Sequence, residues 1–175
     1  MSKAKTTTQK EKNLKNKDIE IRRFNKKDLP AVYRMIQDTI AVCYSGFYPP
    51  EAIEFFKDYH NKENIIKDAA AGYTIVAECN GEIVGTGTLL DTNIRRVYIN
   101  PLYQRQGIGK TITQRLEKKA FTMGLSNLDL EGSLNSRVFW ESQGFTIQEE
   151  AFLSVRNGKK LIYFTMGKEI NRHGM

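Results

Sequence analysis

RRVYINPLYQRQGIGKTITQRLEKKA, from Arg95 to Ala120, reads as a strand, a turn, a glycine-bearing loop and a helix. β-Branched and aromatic residues fill Arg95 to Ile99 and suit a strand. Asn100-Pro101 ends it, because proline has no N–H for the ladder and biases its predecessor away from helix. Ile108, Ile112 and Leu116 then return at helical spacing, and Lys118-Lys119 suit a helix C-terminus. Between strand and helix, Gly107 and Gly109 allow close approach to the backbone, and the first-turn N–H groups favour an anion. Arg105 and Lys110 add positive charge at the rim. The loop from Gln104 through Gln106 and Ile108 to Lys110 is built to cradle a phosphate.

Two phosphate motifs are excluded. A Walker A loop needs glycine five residues before Gly109-Lys110-Thr111, where Gln104 stands. A dinucleotide fingerprint starting at Gly107 needs a third glycine at the place of Ile112. What remains is Q/R-x-x-G-x-G/A, met by Gln104, Gly107 and Gly109. It resembles the coenzyme A pyrophosphate loop of the GNAT superfamily of acetyl-CoA-dependent N-acetyltransferases. For so short a pattern the plainer alternative is a glycine-relieved loop before a surface helix, so the rest of the chain has to decide.

At 175 residues there is room for one domain and one substantial core. No apolar run approaches a membrane span and the N-terminus lacks the apolar core of a signal peptide, so a cytoplasmic protein is expected. Cys43 and Cys79 read as buried free thiols in a reducing compartment. The net charge of +7 is concentrated at one end: Lys3, Lys5, Lys10, Lys12, Lys15 and Lys17 face only Glu11. Residues 1–17 therefore read as a disordered basic tail, and a nucleic-acid partner, resting on that tail alone, is disfavoured.

Along the chain, Asp18 to Phe24 alternates as a first strand, and Asp28 with Pro30 opens a helix carrying Val32, Ile36 and Ile40 inward. Pro49-Pro50-Glu51 opens a second helix, and residues 61–69 suit a short third. The link between the first two is rich in aromatics: Tyr44, Phe47 and Tyr48 either cap the core or line a substrate pocket. Residues 73–79 and 83–90 are strands joined by Asn80-Gly81, a two-residue hairpin signal. Gly85 and Gly87 point to a bulge or a close neighbour. After the central motif come a strand from Asn127 to Glu131, a helix from Ser133 to Gln143, and two strands around Asn157-Gly158.

This order resembles the GNAT fold over residues 18–170, with 171–175 as a C-terminal tail. A second element supports it. GSLNSRVFWESQGF, Gly132 to Phe145, is similar to the family's S-L-N-A-R-x-F-Y-E-K-x-G-F segment at Ser133, Leu134, Asn135, Arg137, Phe139, Glu141, Gly144 and Phe145. The resemblance implies an α/β (α+β) single domain. Its mixed, twisted sheet has about seven strands flanked by helices, with a splayed central pair of parallel strands.

The resemblance also implies a cosubstrate, acetyl-CoA. Its pantetheine arm would lie as a pseudo-strand against Val97, Tyr98 and Ile99, its pyrophosphate on Gln104 to Lys110, with Ser133 and Asn135 bonding the arm or capping the helix. Family members commonly use a tyrosine acid on the later helix, and Trp140 stands there instead. Indole has no usable acidic proton, so that role does not carry over. The candidate catalytic groups are Tyr98, Asp91 and Glu131, with Glu78 and Tyr103 as further options. No metal is expected. The leading reading is an acetyltransferase acting on a primary amine of a small molecule or protein, with room for a homodimer. The competing one is a degenerate domain that binds acyl-CoA without catalysis.

Overall fold

The computed structural model describes residues 18–170; the tails read at 1–17 and 171–175 lie outside the described residues. Seven strands form one sheet in the order β1-β2-β3-β4-β5-β7-β6. They are β1 (Ile19–Arg23), β2 (Tyr73–Cys79), β3 (Glu82–Leu90), β4 (Asn93–Ile99), β5 (Asn127–Ser133), β6 (Thr146–Ser154) and β7 (Lys160–Glu169). Between β1 and β2 run α1 (Leu29–Cys43), α2 (Pro50–Tyr59) and α3 (Lys62–Ala71); α4 (Ile108–Thr122) follows β4, and α5 (Arg137–Ser142) follows β5.

The sheet divides two cores. β2 carries Ile75, Ala77 and Cys79 to the face covered by α4, and Val76 to the face covered by α1 to α3. Its middle, Ile75 to Ala77, is buried on both faces and is apolar there. Ile108, Ile112, Leu116 and Ala120 of α4 are all buried, the four-residue spacing visible in the sequence. Asn80 and Gly81 both take positive φ, 52° and 78°, as a tight hairpin turn requires.

β4 breaks its own alternation. Arg95 pairs with Thr88 and Tyr98 with Thr86, so two residues, Arg96 and Val97, oppose the single Gly87. Arg96 absorbs this bulge at φ 53°. Ile94, Val97 and Ile99 consequently reach the α4 core while Tyr98 joins the other one. β4 and β5 are parallel and register only at Asn93 and Asp129 before they part.

Asp28 departs from the sequence reading. Its carboxylate makes no cap bond to α1. It accepts instead from Asn25 N at 2.8 Å and from both terminal nitrogens of Arg22, at 2.8 and 3.0 Å, while Arg22 also reaches Glu78 at 2.6 Å. The Arg22 hydrogen bonds, first among several causes, hold this buried carboxyl below its usual range. A depressed folded value gives stability that is present above the unfolded carboxylate range and lost as pH falls through the folded one. Asp28→Asn should therefore cost about 1–3 kcal/mol at neutral pH and weaken the acid sensitivity. Urea midpoints at neutral and acidic pH check both; an unchanged neutral midpoint would rule the pair out as a stabilising contact.

Candidate active site

Where β4 and β5 separate, two cavities open and meet. One, of about 470 Å³, runs beneath the start of α4 and is lined by Val97, Tyr98, Ile99, Gln104, Arg105, Gly107 to Lys110 and Asn135, among others. The other, of about 340 Å³, lies towards α2 between Phe55, Phe56, Tyr59 and Trp140, with Glu131 as the acidic side chain in its wall. Tyr44, Val97, Tyr98 and Ser136 line both. These four therefore mark the junction.

The first cavity's floor follows from local sequence. Gly107 sits at φ 84° at the N-terminal boundary of α4, and no side chain caps that helix. The first intrahelical bond at this end is Thr111 N to Gly107 O at 3.0 Å, which leaves the N–H groups of Ile108, Gly109 and Lys110 without a partner inside the helix. The two glycines differ in purpose. A Cβ on Gly107 would meet nothing within 4 Å, whereas one on Gly109 would press on the Phe139 ring at 3.2 Å. Gly107 keeps the anion site clear; Gly109 makes room for α5.

At the junction a chain of polar groups is buried. Asp68 accepts from Arg96 Nη2 at 2.7 Å, and Arg96 Nη1 lies 2.8 Å from His60 Nδ1. His60 Nε2 lies 3.0 Å from the Tyr98 hydroxyl, which is 3.1 Å from that of Tyr44. Burial, with the Arg96 charge, pushes the His60 pKa down to about 3. Burial raises both Tyr44 and Tyr98.

A family model described as an acetyltransferase (GNAT) domain matches residues 45–169. The chain belongs to that family. A spermidine N(1)-acetyltransferase of Thermoplasma acidophilum is 23% identical over 150 residues, covering 75% of this chain and 90% of that protein. A solved GCN5-related N-acetyltransferase from Rhodopseudomonas palustris shares the fold at TM-score 0.79 and 23% identity, over 86% of this chain and 95% of that one. The PaiA N-acetyltransferase of Thermoplasma acidophilum, solved with coenzyme A, follows at TM-score 0.70 and 22% identity, over 87% and 99%.

As a GNAT domain the chain takes acetyl-CoA as its cosubstrate, and its residues fit that molecule. The open helix end and the clear space at Gly107 suit a pyrophosphate. Asn135 Oδ1, on the same cavity, is buried without a hydrogen-bond partner, a free acceptor for an amide N–H of the pantetheine arm. Beyond the Asn93–Asp129 register the facing edges of β4 and β5 no longer pair with each other, which leaves room for a strand-like arm.

The other anticipated residues divide. Ser133 lines the second cavity and bonds Ser136 Oγ at 3.0 Å, without capping the turn that follows. Gln106 turns its amide back to Leu102 O at 3.4 Å and does not line the first cavity. Glu131 accepts from Asn93 Nδ2 at 3.1 Å. Asp91 stands apart from the cleft, on a surface hollow with Arg23 and Lys119, and Glu78 is occupied by Arg22. Of the aromatic link, Tyr44 faces the junction, Tyr48 braces the wall by donating to Ile162 O at 2.7 Å and accepting from Leu134 N at 2.8 Å, and Phe47 is 55% exposed and lines neither cavity. Trp140 is buried edge-on against Phe139 and Phe145 in the second cavity's wall. Cys79 is buried but Cys43 only half-buried, at the first cavity's edge beside Gln104.

Sequence reasoning passed over His60, Arg96 and Asp68. A signal was present in Arg96, a charge set between Ile94 and Val97 in a strand whose neighbours are apolar. His60 and Asp68 carried none, because their partner lies 36 and 28 residues away.

Proposed function

We propose that the chain transfers an acetyl group from acetyl-CoA to a primary amine by direct attack on the thioester. The observation that carries this is the junction. A phosphate-accepting cavity and an aromatic-walled, acid-bearing one share Tyr44, Val97, Tyr98 and Ser136. Acetyl-CoA supplies the activated acyl carbon. Gln104, Arg105 and Gly107 to Lys110 hold its pyrophosphate, and β4 at Val97 to Ile99 offers backbone groups to its arm. Phe55, Phe56 and Tyr59 suit the apolar body of an acceptor, and Glu131 draws in its cationic nitrogen and accepts the proton that must leave before attack. The T. acidophilum relative's name places polyamines among the acceptors to try.

The test is thiol release from acetyl-CoA with a polyamine, a diamine, an arylalkylamine and a peptide N-terminus, with the product identified by mass. At least one amine should accelerate release and gain an acetyl group. Tight acetyl-CoA binding with no amine-dependent release would instead establish a binding module.

A further inference from the structure

Building on the acetyl-transfer reading, we propose that Tyr44 is the catalytic acid, with Arg96, His60 and Tyr98 as positioning residues that direct its hydroxyl proton away from the core. Each hydrogen bond along this chain has a fixed direction. A guanidinium only donates, so His60 Nδ1, 2.8 Å from Arg96 Nη1, has to accept. A neutral imidazole that accepts at Nδ1 carries its proton on Nε2. Nε2 therefore donates to the Tyr98 oxygen at 3.0 Å. The proton of Tyr98 then has the Tyr44 oxygen, at 3.1 Å, as its acceptor. Tyr44 receives that bond and keeps its own proton to give elsewhere. Asp68, on Arg96 Nη2 at 2.7 Å, and the Tyr59 ring, 5.5 Å from the guanidinium carbon, fix the head of the chain.

The far end opens on the cavities. Ser136 donates to Ser133 O at 3.0 Å, so Ser133 Oγ gives its proton to Ser136 Oγ and is left as an acceptor. Ser133 lines the second cavity, as Tyr44 does. Tyr44 itself lines both cavities, so the proton it keeps is held where acyl donor and amine meet.

In the transfer, the amine nitrogen bonds to the thioester carbon and the C–S bond breaks, its electron pair going to sulfur. The Tyr44 proton moves to sulfur and yields the free thiol. The proton that nitrogen sheds on becoming an amide returns through solvent to the Tyr44 oxygen, so no outside acid is consumed. The chain thereby supplies from the end of α1 the acid that Trp140 cannot supply from α5.

Two measurements test this. Tyr44→Phe should lower kcat about a hundredfold and leave the KM for acetyl-CoA within about twofold. His60→Leu should lower kcat at least about tenfold, and His60→Gln, which keeps one acceptor and one donor, should recover most of it. Nitrogen-15 shifts of the His60 ring, assigned by comparison with His60→Gln, should show a neutral ring protonated on Nε2 between about pH 5 and pH 9. Tyr44→Phe within about threefold of the parent kcat, in a protein that does acetylate amines, would overturn the acid role alone. A ring protonated on Nδ1, or one that titrates in that range, would overturn the relay. A parent protein that acetylates no amine would overturn the acetyl-transfer reading and the acid role with it, while the ring shifts would still decide the direction of the chain.

Discussion

Gly107→Glu is expected to weaken acetyl-CoA binding at least about a hundredfold while the chain still folds. The residue sits at φ 84° with open space beyond its Cα, at the uncapped start of α4. A glutamate there would place its own carboxylate on the N–H groups of Ile108 to Lys110, the position assigned to the pyrophosphate. It would also repel whatever phosphate remained. The fold should absorb the change, because a side chain at this φ costs about 1–2 kcal/mol and an acid at a helix N-terminus returns about 0.3–1. Titration calorimetry against acetyl-CoA, beside a thermal melt, checks both halves. Unchanged affinity in a folded protein would move the pyrophosphate elsewhere.

Gly87→Val should be strongly destabilising. A Cβ at this position would stand 2.6 Å from Ile112 Cγ2, 3.1 Å from Leu116 Cδ1 and 3.3 Å from Val97 Cγ2. Ile112 and Leu116 are fully buried, so neither can swing into solvent. Overpacking of this kind costs about 1–3 kcal/mol or more, and valine exceeds the Cβ alone, so a loss near 3 kcal/mol is expected. For a domain of this size that lowers the Tm by roughly 6–12 °C. Acetyl-CoA affinity should fall too, since relief requires α4 to lift off the sheet and carry its N-terminus away from β4. A Tm within about two degrees of the parent would show that the seam between α4 and β3 is looser than its distances imply.

What was legible in the sequence was what local chemistry decides. The β4–turn–α4 unit announced itself through Pro101, Gly107 and the repeat of Ile108, Ile112 and Leu116, each of which acts within one element. The Asn80-Gly81 hairpin was legible for the same reason. Asp28 misled because a carboxylate ahead of a helix ordinarily caps it, and nothing nearby shows that Arg22 will turn back to claim it. In the aromatic link, the facing of Tyr44, Phe47 and Tyr48 depends on where α1 stops, and helix ends are set by contacts rather than by spacing. The polar chain from Asp68 to Tyr44 was illegible because it joins α3, α2, β4 and the end of α1, and only packing brings them together.

The bulge at Arg96 makes β4 a strand whose meaning depends on its length. One extra residue lets Arg95 and Tyr98, three apart, share a face, and lets Ile94 and Val97 share the other. Substitutions within β4 act one side chain at a time. Loss of a single residue there would act as a frameshift written in three dimensions: every side chain beyond it would change sides, with hydroxyl exchanged for hydrocarbon at the junction. Across descendants of this chain, β4 should therefore drift in spelling far more freely than in count.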